Sequence, residues 1–101
     1  MSTEYHKLEI VRLLEKTDLL NLFDSAYVFG SIVKCEGIPH DIDILLIYSI
    51  FSCDIHNQID EIGKYIEERM LYPVDITALS IEEEKEVRFI DNLDNQYVRI
   101  K

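Results

Sequence analysis

The segment IDILLIY, Ile42 to Tyr48, constrains the fold more than any other part of the chain. Apolar residues occupy both of its alternating faces, which marks a strand covered on both sides rather than one lying against solvent. A sheet with packing layers on either side follows. Yet Asp43 interrupts the run and Asp41 stands just before it. Residues two apart on a strand point to the same side, so the two carboxylates aim together, with Ile42 turned into the core between them.

The rest of the chain supplies partners for this strand. Leu8, Val11 and Leu13 or Leu14 recur at helical spacing from Tyr5 onward and predict an amphipathic helix ending near Lys16. Asp18 starts a short turn through Leu20 and Phe23. SAYVF, Ser25 to Phe29, is aromatic and β-branched and is stopped by Gly30, which predicts a strand. Asp54 caps a helix whose apolar stripe is Ile55, Ile59, Ile62, Ile66 and Met70, ended by Pro73. VDITAL, Val74 to Leu79, alternates as a third strand. Ser80 and Glu83 form a capping box opening a last helix over Ile81 to Leu93. The carboxylates of Glu82, Glu83 and Glu84 then sit at the positive end of its dipole and require no functional explanation. QYVRI at the end can add a short edge strand. The expected class is α/β (α+β): a small mixed sheet flanked by helices, with parallel pairing wherever a helix joins two strands.

At 101 residues, without repeats or linkers, the sequence reads as a single domain, 1–101. No apolar run approaches the roughly 18 residues of a membrane span. The opening MSTEYHKLEI lacks the basic-then-apolar pattern of a secretory signal, so a cytoplasmic location is expected. Cys35 and Cys53 form no metal-ligand spacing with His6, His40 or His56 and read as reduced thiols. A net charge of −10 repels phosphate backbones, which disfavours a nucleic-acid-binding role and favours basic protein partners or divalent cations.

Two carboxylates side by side repel unless something positive joins them. Mg²⁺, which prefers oxygen ligands, suits Asp41 and Asp43. A third acid, Asp75, lies near the start of the strand after the intervening helix, and neighbouring strands would bring all three together. Carboxylates that converge on divalent ions suit phosphoryl or nucleotidyl transfer. Gly30 and Ser31 add a place where backbone can approach a phosphate and a hydroxyl can bond it.

The order strand, Gly30-Ser31, turn, Asp41-Ile42-Asp43, strand, helix, strand with Asp75 resembles the minimal nucleotidyltransferases of the polymerase-β-like superfamily. The resemblance spans roughly Tyr27 to Leu79 and implies the polymerase-β-like nucleotidyltransferase fold. It implies Asp41, Asp43 and Asp75 as catalytic, Mg²⁺-binding residues, with Asp75 helping to activate the incoming hydroxyl. Gly30, Ser31 and Lys34 would hold the triphosphate of ATP. Family members of this length resemble antitoxins encoded beside a HEPN-type RNase toxin, some of which transfer AMP to a tyrosine hydroxyl on that toxin. The family's GSxARG segment reads here Gly30-Ser31-Ile32-Val33-Lys34-Cys35, with Lys34 in place of Arg and Cys35 in place of Gly. His40 stands where Ser is usual.

Two readings follow: an active protein nucleotidyltransferase, favoured by the complete aspartate set, and a binding antitoxin or regulatory subunit with little catalysis, suggested by the altered GSxARG segment and the acidity. A third possibility is an acidic α/β domain whose aspartates only mimic the motif. His40 is open between a phosphate or Asp41 contact and simple exposure, and Lys34 between a triphosphate contact and solvation. Tyr5, Tyr27, Tyr48, Tyr65, Tyr72 and Tyr97 read mainly as packing residues, and none is marked as an acceptor. Self-association is left open.

Overall fold

The computed structural model describes residues 3–15, 18–30, 41–93 and 96–101, with the side chains of the first helix described from residue 9. In chain order these form α1 (Thr3–Glu15), β1 (Ser25–Phe29), β2 (Ile42–Tyr48), α2 (Cys53–Met70), β3 (Val74–Ser80), α3 (Ile81–Val87), a 3-10 turn (Asp91–Leu93) and β4 (Tyr97–Arg99). The strands make one mixed sheet in the order β3-β2-β1-β4. β1 runs antiparallel to β2 and to β4, while β2 and β3, joined through α2, are parallel. The expected α/β class with a small mixed sheet and flanking helices is what the chain forms.

Alternation along β2 divides the molecule into two cores. Ile42, Ile44 and Leu46 face one side, where they meet Ile10 and Leu14 of α1 and Ile55, Ile62 and Ile66 of α2. Leu45 and Ile47 face the other, with Tyr27, Phe29, Leu79, Phe89, Ile90 and Tyr97. The double burial predicted for IDILLIY is therefore real, and its two covers differ: a helical layer on one side, the C-terminal segment on the other. Burying these side chains from water is the main favourable term holding each cover in place.

Local sequence explains most boundaries. The turn from Asp18 is closed by Asn21 N–H to Asp18 O and Phe23 N–H to Leu20 O. The α1 stripe is centred on Ile10 and Leu14, both fully buried, while Val11 and Leu13 are half-buried flanks. Four-residue spacing puts Ile10 and Leu14 one above the other on the helix face turned to the sheet. Asp54 is not the cap of α2. Ser52 holds that position in extended backbone without a side-chain cap bond, and Asp54 lies in the first turn, where its charge meets the helix dipole. The helix ends at Leu71, in the left-handed region at φ 61°, whose N–H reaches Glu67 O at 2.9 Å. Pro73 follows at once.

The capping box forms as expected: Glu83 N–H donates to Ser80 Oγ at 3.1 Å and Ser80 N–H donates to Glu83 Oε1 at 2.9 Å. The helix it opens is shorter than Ile81 to Leu93. Arg88 adopts the left-handed region at φ 51° and its N–H bonds Glu84 O, stopping α3 at Val87. The break turns Phe89 and Ile90 onto the sheet, where Phe89 meets Phe29 edge-on at 5.3 Å between ring centres. A continued helix would carry the two in another direction, so burial of this pair opposes the helical periodicity. The QYVRI segment supplies the expected short edge strand.

Candidate active site

β1 ends, and β2 and β3 begin, at the same end of the sheet. The register there is direct: Phe29 pairs with Asp43, and Asp43 pairs with Asp75. Cross-strand partners share a face and stand about 5 Å apart. Asp75, Asp43, Phe29 and Tyr97 thus form one row across the sheet. The row lies on the face of Leu45 and Ile47, under the C-terminal cover rather than under α1 and α2. The helix between β2 and β3 makes this possible, because a parallel crossover returns β3 to the end from which β2 started.

Asp43 is half-buried, while Asp41 and Asp75 are exposed on either side of it. Burial raises the pKa of the Asp43 carboxyl above the ordinary aspartate value, and the negative charges of Asp75 and then Asp41 push it further in the same direction. The three aspartates singled out in the sequence are therefore brought within electrostatic reach of one another. Among the described residues, no three His, Cys, Asp or Glu side chains already stand in a ready metal-holding group.

Gly30 supplies the fourth element. It sits at φ +86°, where side chains are strained, and a Cβ there would lie 3.0 Å from Asp43 Cγ and 3.3 Å from Asp43 Cβ, with Asp43 Oδ2 closer still. Only glycine lets the end of β1 pass this close to the central carboxylate. Its sequence role as a strand stop is thus joined by a second one, clearing space for Asp43. Ser31, Lys34, Cys35 and His40, the remaining residues of the motif and its surroundings, lie outside the described residues.

Phe29 was not read as part of the site. The signal was available, since a strand stopped by Gly30 and returning antiparallel must set one of its last residues against the Asp41-Ile42-Asp43 stretch. The register needed to name Phe29 was not. Phe29 gives Asp43 an apolar wall on one side, opposite the charged wall of Asp75.

No protein-family model matches the chain, and no curated protein matches it. Among solved structures, a protein of Sulfolobus solfataricus described provisionally as a nucleotidyltransferase superposes with a TM-score of 0.55 at 18% identity, over 98% of this chain and 86% of its own. The chain has a nucleotidyltransferase fold. A second structure described in the same terms gives 0.43 at 19% identity over 97% of this chain and 98% of its own, a score too low to bear on the fold. Within the nucleotidyltransferase fold, the carboxylate row occupies the common end of β2 and β3, with Gly30 against it.

Oxygen-only donors that repel one another, one of them held above its usual pKa, fit a divalent cation. Asp41 and Asp43 are the residues that would hold Mg²⁺, with Asp75 beside them. No helix among the described residues is long and apolar enough to cross a membrane.

Proposed function

We propose that the chain is a Mg²⁺-dependent nucleotidyltransferase that transfers AMP from ATP to a hydroxyl on a partner protein, as the antitoxin of a HEPN-type RNase toxin. The observation that carries the catalytic part is the direct pairing of Asp43 with Asp75, with Asp41 beside them and Gly30 packed on Asp43, in a nucleotidyltransferase fold. The acceptor and the toxin partner come from the sequence resemblance.

When bound, the metal would lower the pKa of the attacking hydroxyl and offset the charge of the triphosphate. Asp41 and Asp43 would hold it. Asp75, exposed next to Asp43, would receive the hydroxyl proton of the acceptor as the oxygen attacks the α-phosphorus and pyrophosphate leaves. Gly30 keeps the backbone low beside Asp43, which leaves room for the Asp43 carboxylate at the end of β1. Phe29, paired with Asp43, and Phe89 packed on it set apolar surface on one side of the row, where charge interactions would be stronger than in open water.

The departures from GSxARG at Lys34 and Cys35 support a second reading, a partner-binding antitoxin or regulatory subunit with this fold and little transferase activity. The two separate in one experiment. The purified protein and its genomic neighbour are incubated with Mg²⁺ and ATP labelled in the α-phosphate, beside an Asp41→Asn/Asp43→Asn variant. Label on either protein that disappears with the variant establishes transfer and names the acceptor. A stable complex without label selects the binding reading.

A further inference from the structure

Among the described residues β3 is an edge of the sheet, and its outward backbone is arranged as a socket. Ile42 N–H donates to Pro73 O at 2.9 Å, which sets the phase of the β2–β3 ladder. Residues 75, 77 and 79 therefore turn their peptide groups toward β2, and Val74, Ile76, Ala78 and Ser80 turn theirs outward. Both ends of this outward row are closed by glutamates. Glu67 Oε1 accepts from Val74 N–H at 3.0 Å, and Glu83 Oε1 accepts from Ser80 N–H at 2.9 Å. Between them the N–H and C=O groups of Ile76 and Ala78 have no partner among the described residues. The opposite edge, β4, is only Tyr97–Arg99, whereas β3 offers seven residues without proline, lysine or arginine.

The two faces beside this edge differ in chemistry. On the α2 side a groove of about 340 Å³ runs along β3, with an apolar floor of Ile59, Gly63, Val74 and Ile76 and a rim of Asp60, Glu67 and the single cation Lys64. On the other side the strand presents Asp75, next to Asp43. We infer that the β3 edge is a docking site for an extended segment of another protein, added as a strand, with apolar side chains on its groove side and basic side chains on its Asp75 side. Alternation places successive side chains on opposite faces, so one segment satisfies both requirements.

A second copy of the chain is a poor occupant. Antiparallel self-pairing that uses both open positions sets Ile76 of one copy against Ala78 of the other. The same register brings Glu67 of each copy against Glu83 of its partner, at both ends. With a net charge of −10 on each chain, the repulsion is general as well as local. A basic segment instead meets Glu67 and Glu83 at the two ends of the row and Asp75 on its face. This docking is independent of whether the aspartates support catalysis.

The test uses the full chain and a seven-residue peptide of alternating lysine and valine, followed through backbone amide NMR, with an alternating glutamate and valine peptide as control. The Ile76 and Ala78 amides are expected to shift and to gain exchange protection with the lysine peptide only, and added salt should weaken binding. Ala78→Pro removes one outward donor without touching the β2 ladder and should weaken binding about tenfold or more. Glu67→Gln keeps the acceptor for Val74 N–H, removes charge, and should weaken binding by a smaller factor. Thermal melts confirm that each variant is folded. Shifts confined to other surfaces, equal binding by Ala78→Pro, or a dimer that already protects Ile76 and Ala78 without peptide would each overturn the proposal.

Discussion

Asp43 and Asp75 face each other in register across the parallel β2–β3 pair, two carboxylates on one face at one end of the sheet. Burial of Asp43 and the charge of Asp75 both disfavour its ionised form. The arrangement costs stability as the protein stands and fits a bound cation.

A raised carboxyl pKa in the folded state makes stability fall as pH rises, because the folded chain holds a proton that the unfolded chain has already released. The contribution of Asp43 is thus fully present below the ordinary aspartate range and is lost as pH climbs through its elevated folded value. Asp43→Asn should melt a few degrees higher than wild type at neutral pH without metal, and the difference should close in acid. Mg²⁺ should raise the melting temperature of wild type at pH 7 and leave the variant unmoved, since a ligand stabilises only the state that binds it. Differential scanning fluorimetry across pH, with and without Mg²⁺, checks both. A wild type indifferent to Mg²⁺ at every pH would remove the metal reading.

Gly30→Ala forces a side chain into φ +86° and against the Asp43 carboxylate. The conformational strain alone costs about 1–2 kcal/mol. Relief by shifting Asp43 would disturb the row, so nucleotidyl transfer should fall far more than stability does. Urea denaturation and the labelling assay, run on the same preparation, separate the two losses.

Ser80→Ala removes the acceptor for Glu83 N–H and leaves Glu83 as the only half of the capping box. A loss of about 1 kcal/mol is expected, or roughly 4–8 °C in Tm for a chain of this size. Circular dichroism melts measure it. Since α3 lies away from the aspartates, transfer per folded molecule should stay unchanged.

Ile62 is fully buried between α2 and the sheet. Ile62→Ala should cost about 2–5 kcal/mol through lost burial and the cavity left behind. The urea midpoint should drop with an unchanged slope if the denatured state is unaffected.

Much of this architecture was legible residue by residue. SAYVF and IDILLIY fold as strands over their expected spans, because their composition and stops are local. Of the stripe running from Ile55 to Met70, Ile55, Ile62 and Ile66 are buried while Ile59 and Met70 pack half-buried at its margin, since helical spacing decides which residues share a face. The overlong last helix shows the limit. Nothing near Arg88 announces a left-handed residue, and the helix stops there because Phe89 and Ile90 find partners on strands far away in sequence. The same limit hid Phe29, whose neighbour Asp43 is named by strand register and by nothing in its own surroundings.

The sequence by itself determined the kinds of element, the double burial of β2, the capping box and the presence of three aspartates flanked by glycine. These depend on side-chain periodicity and on hydrogen bonds within a few residues. Tertiary structure alone decided the register that sets Asp75 opposite Asp43, that Gly30 clears space for that carboxylate, and that β3 is an edge among the described residues. Those outcomes follow from how a crossover helix returns the chain to the sheet and from which faces bury the most apolar surface, quantities summed over the whole molecule rather than written in any one segment.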